Sequence, residues 1–128
     1  MTFTKVLAAL GLVLSLATPA FAQDPSPVGN WQTTTGESRY AVSLCGDGTQ
    51  LCAKLTWLRA DARTPANLSQ LNRLVVQGAR VSSPNKWRGT VNYGGQKVSG
   101  SVTLVSSGKM RLTGCQLIAC KSVDFVKM

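Results

Sequence analysis

Two pairs of cysteines, each bracketing a short turn, constrain the fold of this chain more than any other feature. In LCGDGTQLC, Cys45 and Cys52 flank a Gly-Asp-Gly segment, and in TGCQLIACKS four residues separate Cys115 from Cys120. The chain contains no histidine, which disfavours a zinc site. Each pair therefore predicts a disulfide that staples a β-hairpin near its turn, on the outer face of a sheet.

The N-terminal residues have the pattern of an export signal. Lys5 is the only charged residue before Asp24, residues 6–17 are apolar, Gly or Ser, and Ala20-Phe21-Ala22 has the small-x-small form of a cleavage site. We predict a signal peptide over 1–22 and an N-terminal linker over 23–28. A membrane anchor is the alternative, but no charged stop-transfer flank follows. Export to the periplasm or the medium agrees with disulfides, which persist in oxidising compartments.

From Gly29 onward, short runs alternate polar and apolar residues and are separated by glycine-rich turns, which indicates antiparallel strands joined by hairpins. The predicted strands cover 29–35, 38–45, 51–58, 74–82, 86–93, 96–105, 109–115 and 119–127. Eight strands with one apolar face favour an all-β fold, a single up-and-down barrel domain over 29–128. Between strands three and four, Pro65 predicts a short helical insert, with Leu68, Leu71 and Leu74 facing the barrel.

The cysteines also predict the pairing of neighbouring strands. With Cys45 opposite Cys52, Val42 faces Leu55 and Tyr40 faces Trp57, so both partners of each pair are apolar. With Cys115 opposite Cys120, Leu112 faces Val123, Met110 faces Phe125, and Arg111 lies beside Asp124 on the outer face. Because a one-residue slip would turn every side chain to the wrong face, these registers are strongly specified.

The predicted registers place three glycines and a lysine in one inward-facing row. Gly89 lies opposite Gly100, Gly100 opposite Gly114, and Gly114 opposite Lys121. One interpretation is mechanical: glycines let a small barrel coil tightly, and small barrels are usually filled by their own side chains. The other is a ligand slot in which Lys121 holds an anionic head group, although this lysine also has the reach to extend into water. The aromatic residues expected to line such a slot are Trp31, Trp57, Trp87 and Tyr40.

Two long segments resemble a bacterial family of exported proteins, the domain-of-unknown-function family two-one-four-seven. The segments are VGNWQTTTGESRYAVSLCGDGTQLCAKLTWL and KWRGTVNYGGQKVSGSVTLVSSGKMRLTGCQLIACKSVDFVKM. The resemblance implies a calycin-like or lipocalin-like barrel and carries no established activity. Phe125 and Lys127 stand where the family usually has Trp and Arg.

Gly29-Asn30-Trp31 is similar to the calycin entry motif. In that superfamily the Trp plugs one end of the barrel and a basic residue of the last strand covers its ring. The resemblance therefore implies that Trp31 and Lys127 form such a plug, with a cation–π contact between them. The alternative is that Lys127 frays with the terminus.

The balance of charge indicates the class of partner. The chain has 14 basic and 5 acidic residues, a formal net charge of +9. A basic exterior attracts anionic envelope components such as lipid head groups, lipopolysaccharide or acidic glycans, or an acidic protein. A simple solvated surface is the alternative. Nucleic acid is not expected, because the aromatic residues are assigned inward and leave no stacking platform.

These features predict a binding protein and not an enzyme. Without histidine the usual general base is missing, and no phosphate loop, nucleophile motif or metal cluster is present in the sequence. No cofactor or metal is expected, and no transmembrane segment is expected in the mature chain, which we predict to be a monomer. The predicted function is binding of a small apolar or amphiphilic, anionic ligand. The alternative is a protein-interaction module, such as an inhibitor of an exported hydrolase or an envelope-associated factor.

Overall fold

The structure, a computed structural model, describes residues 25–93 and 95–128. The predicted signal peptide lies outside these residues, as does the start of the predicted linker. Eight antiparallel strands form a closed barrel in which each strand pairs with its sequence neighbours and β1 pairs with β8. The strands are β1 Gly29–Thr33, β2 Ser38–Cys45, β3 Gln50–Leu58, β4 Leu74–Ser83, β5 Lys86–Tyr93, β6 Gln96–Ser106, β7 Lys109–Gln116 and β8 Ala119–Lys127. The predicted up-and-down barrel is confirmed.

The connection between β3 and β4 holds a 3-10 turn, Ala60–Ala62, and one short helix, α1 Pro65–Leu68. Thr64 caps the helix by accepting a hydrogen bond from the Asn67 amide. Only one of the three leucines expected to face the barrel packs on its core, namely Leu71. Leu68 and Leu74 are exposed, so their predicted inward orientation is wrong. A helix of four residues is too short to present a continuous apolar stripe to the core.

The last four strands pair as predicted. Both disulfides form, and Cys115 lies directly opposite Cys120. The Arg111 Nε atom donates to Asp124 Oδ1 at 2.8 Å. Between β5, β6 and β7, Gly89 pairs with Gly100 and Gly100 with Gly114. Short turns with one defined geometry leave little freedom of register, which is why these hairpins follow from the sequence.

The register predicted for β2 and β3 is wrong by two residues. Cys45 pairs with Gln50 and Ser43 with Cys52, so this disulfide joins diagonal neighbours across the two strands. The turn is tighter than expected because Gly46 and Gly48 both adopt positive φ. A shift of two residues preserves the inward and outward faces, so Val42 still points into the core, where it faces Ala53.

A β-bulge in the same hairpin moves Trp57 to the outer face. Tyr40 pairs with Leu55 and Arg39 with Trp57, which leaves Thr56 as the extra residue. The bulge brings Leu58 into the core instead. The Arg39 guanidinium stacks 4.3 Å from the centroid of the Trp57 ring, so the predicted inward pairing of Tyr40 with Trp57 is wrong.

The core extends along the barrel, from Trp31 and Met110 near one end to Leu58 and Val75 near the other. We call the end where β1 begins and β8 ends the plugged end, and we call the opposite end, where β5 ends and β8 begins, the open end. A void of only about 30 Å³ remains between the core side chains. The buried apolar residues of the core cluster are Trp31, Val42, Leu51, Ala53, Leu55, Leu58, Val75, Val76, Ala79, Trp87, Val91, Val102, Leu104, Met110 and Phe125.

Candidate ligand-binding site

The plugged end is sealed by Trp31 and the residues around it. Trp31 is fully buried, and its indole nitrogen donates to the Pro27 carbonyl at 2.8 Å. The Lys127 ammonium lies 5.6 Å from the centroid of the Trp31 ring, and its stem lies against Gly29. Pro27 is buried although it falls in the predicted linker, so the chain before β1 contributes to this seal.

Trp87 also belongs to the plugged end. Its indole nitrogen donates to the Thr49 carbonyl of the β2–β3 turn at 2.9 Å. The side chain is buried against the core and lines neither lobe of the open end described below. Trp87 therefore closes the barrel instead of lining a slot.

The glycine row is packed by neighbouring side chains over most of its length. A Cβ atom on Gly100 would lie 2.7 Å from Val91 Cγ2 and 3.1 Å from the Thr113 carbonyl oxygen. One on Gly89 would lie 3.0 Å from the Ala79 Cα atom. Here the glycines allow close approach of backbone and side chains, which supports the mechanical interpretation.

A cavity opens above the last glycine of the row. It has a volume of about 280 Å³ and lies between the hairpins β5–β6 and β7–β8. Its apolar wall is formed by Val91, Val98, Leu112 and Val123, and Lys121 stands at its rim. The other lining residues are Tyr93, Gln96, Gly114, Cys115, Gln116 and Ala119.

A second lobe of about 510 Å³ continues the opening toward β1, β2 and the β3–β4 connection. Tyr40 lies on its floor, where its ring meets Phe125 edge to face at 5.3 Å between centroids. Burial raises the pKa of the Tyr40 phenol above its ordinary value, although a hydrogen bond donated by Ser38 opposes this rise. The phenol is therefore neutral at physiological pH. Val91, Tyr93, Leu112 and Val123 line both lobes, so the two form one continuous opening.

The structure brings together only part of the predicted site. Gly114 and Lys121 line the first lobe, and Tyr40 lines the second. Gly89 and Gly100 instead border a shallow groove on the outer face, beside Arg88. Trp57 is stacked outside the barrel.

Sequence reasoning missed Tyr93, Gln96, Gln116 and Ala119. In the predicted strands they fall on the alternate positions that face inward, and they lie next to the turns. Continuing the alternation up to each turn would have placed them on the inner face.

The described residues hold no group of three or more His, Cys, Asp or Glu side chains arranged to ligate a metal ion. In the same part of the chain, no helix has the length and apolar character needed to cross a membrane.

Comparison with known proteins adds one structural likeness. No family model matches the chain, and no curated protein does. Among solved structures the chain is similar to a redesigned β-barrel, with 16% sequence identity and a TM-score of 0.49, covering 79% of this chain and 90% of the other.

Proposed function

We propose that this protein is an exported binding barrel that holds a small amphiphilic, anionic molecule in the opening between β5–β6 and β7–β8. The observation that carries the proposal is the first lobe, in which one basic side chain stands over an apolar wall. Ligand sites in proteins combine mostly apolar lining with a few placed polar groups, and their volumes begin near ~300 Å³. The two lobes together exceed that volume.

Lys121 is the group suited to an anionic head. It lies on the inner face opposite Gly114, and both residues line the first lobe. None of the ion pairs among the described residues involves Lys121. Its ammonium therefore keeps its charge available for a carboxylate, sulfonate or phosphate.

The disulfides and the resemblance to family two-one-four-seven support the rest of the proposal. Two disulfides are typical of proteins that mature in an oxidising space, which agrees with the export predicted from residues 1–22. Membership of that exported family, and the absence of an enzymatic activity, are part of the same proposal. Both follow from the sequence patterns described above.

Two fluorescent probes test the site. Anilinonaphthalene sulfonate is apolar and anionic, whereas N-phenyl-1-naphthylamine is apolar and neutral. We expect both to bind the protein with enhanced fluorescence. Lys121→Gln should weaken the sulfonate about 5-fold, the upper range for an exposed ion pair, and leave the neutral probe unchanged. Ala119→Trp, which fills the first lobe from an exposed position, should weaken both.

The matched control is Lys54→Gln, which removes the same charge from the exposed outer face of β3. It should leave both probes unaffected. Unchanged binding of both probes to Ala119→Trp would contradict the proposal, because the probes would then occupy some other place. Equal losses for Lys54→Gln and Lys121→Gln would show that only the overall charge matters.

A further inference from the structure

The turn between β7 and β8 exposes two large apolar side chains. Leu117 and Ile118 are 99% and 102% exposed, far more than any other large hydrophobic residue in the described part of the chain. Leu117 also adopts φ 56°, a left-handed conformation that a leucine rarely takes. Asn or Gly would adopt this backbone conformation more readily than Leu. Leu117 therefore lowers stability, and it contributes nothing to packing.

The turn is held in this exposed position from both sides. The Cys115–Cys120 disulfide closes the hairpin immediately below it. The Gln116 side chain donates to Gln96 Oε1 of the neighbouring hairpin at 3.4 Å. The two apolar side chains are thus presented on a fixed support, which lowers the entropic cost of binding through them.

Other exposed apolar residues lie in the loops at the same end of the barrel. Tyr93, at the end of β5, is 58% exposed, and Leu68 and Leu74, in and after the β3–β4 connection, are 43% and 36% exposed. Because β4 through β8 are consecutive neighbours in the barrel, these loops follow one another around the open end. We call these five residues the apolar rim: Leu68, Leu74, Tyr93, Leu117 and Ile118.

The charge around the apolar rim is mainly positive. Residues 62–123 contain nine Lys and Arg residues and no Asp or Glu. Arg63, Arg73, Lys97 and Lys121 belong to the loops or strand ends that carry the rim. The acids at or near this end each lie beside an arginine: Glu37 and Asp61 beside Arg59, and Asp124 beside Arg111. The rim therefore suits a partner that is both apolar and anionic.

We propose that the open end docks on an anionic lipid bilayer, with Leu117 and Ile118 inserted among the acyl chains and the surrounding basic residues at the head groups. A bilayer fits better than a protein pocket, because the apolar residues are spread over three loops around an opening. A planar surface meets all three loops, and it attracts each nearby basic residue by an energy that salt screens. This inference stands independently of the ligand proposal.

Vesicle pelleting tests the docking. The assay uses disulfide-bonded protein starting at Gln23, since residues from Gly29 onward form the closed barrel. Vesicles of phosphatidylcholine with 30% phosphatidylglycerol are compared with pure phosphatidylcholine. We expect binding to the anionic vesicles that weakens as NaCl rises. The tip variant Leu117→Asn/Ile118→Thr should bind at least ~10-fold more weakly, as expected for two lost aliphatic side chains.

Because Asn tolerates positive φ, the tip variant should be no less stable to urea than the native protein. Val81→Thr/Val105→Thr is the matched control, since it removes two exposed aliphatic side chains elsewhere on the barrel. It should keep native vesicle binding, whereas Arg73→Gln/Lys97→Gln should lose most of the preference for anionic vesicles. Binding of the sulfonate probe in solution by the tip variant should be native, which separates docking from ligand binding.

Three outcomes would overturn the docking proposal: no binding of the native protein to anionic vesicles, undiminished binding by the tip variant, or an equal loss in the valine control. Capture of a protein partner through Leu117 and Ile118 by a chain that does not bind vesicles would overturn it in favour of a protein interface.

Discussion

At the scale of single residues, a few side chains adopt roles that their type alone does not suggest. Lys127 is exposed, yet it places its ammonium over the Trp31 ring. Trp57, an aromatic residue in a strand, packs outside under Arg39. Tyr40 is the clearest electrostatic case, because its phenol is held in the barrel with Ser38 as hydrogen-bond donor. The ionisation of the Tyr40 phenol predicts how the stability of the protein responds to alkaline pH.

Burial raises the pKa of Tyr40 above its ordinary value of 10.0. The folded protein therefore retains this proton longer than the unfolded chain. The stabilisation is complete below pH 10 and is lost as the pH rises through the folded-state pKa. We expect the urea midpoint to fall as the pH rises above 10, and to fall less steeply in Tyr40→Phe. Identical slopes for native protein and Tyr40→Phe would contradict this assignment.

At the scale of elements, the sequence predicts all eight strands to within two residues, because alternation and glycine turns are local signals. It also predicts the pairing of β5 through β8, where turns or cysteines leave one register. It does not predict the bulge at Thr56 or the diagonal geometry of Cys45–Cys52, since both depend on how strands curve to close the barrel. It places Lys121 and Gly114 at the candidate site but wrongly adds Trp57, which the bulge turns outward, and Trp87, which lies at the plugged end.

The glycine row shows how the elements fit together. We expect Gly100→Ala to destabilise the barrel by about 1–3 kcal/mol, because its methyl group would overlap Val91 Cγ2. Gly108→Ala is the control, since nothing lies within 4 Å of a Cβ at that position; it should change stability by less than about 0.5 kcal/mol. Urea unfolding measures both. In a double-mutant cycle, Val91→Ala should partly relieve Gly100→Ala. Equal stability of the two alanine variants would show that the row is not packed as described.

At the scale of the whole molecule, charge is distributed unevenly around the barrel. The acid-free stretch 62–123 contains all of β4, β5, β6 and β7, which are adjacent in the closed sheet. One half of the barrel is therefore wholly basic, and its like charges repel one another. Arg80 even lies directly opposite Arg88 on neighbouring strands. Such pairs lower the stability of the free protein and favour association with an anionic surface.

Removing one partner of that pair measures the repulsion. We expect Arg80→Gln to raise the free energy of unfolding by about 0.2–1 kcal/mol at low salt, because like charges facing each other across strands are destabilising. The gain should shrink as NaCl rises. Lys54→Gln removes the same charge from a position opposite Ala41 and should yield a smaller gain. A larger gain for Lys54→Gln would mean that net charge, and not this pair, limits stability.

The seal made by Trp31, Pro27 and Lys127 determines how a ligand can enter and leave the barrel. Because one end of the barrel is closed, a bound ligand has to leave through the same opening by which it entered. A second ligand cannot displace the first from the opposite end of the barrel. If that opening is docked on a lipid bilayer, the ligand can exchange with the surrounding water only after the barrel dissociates from the bilayer.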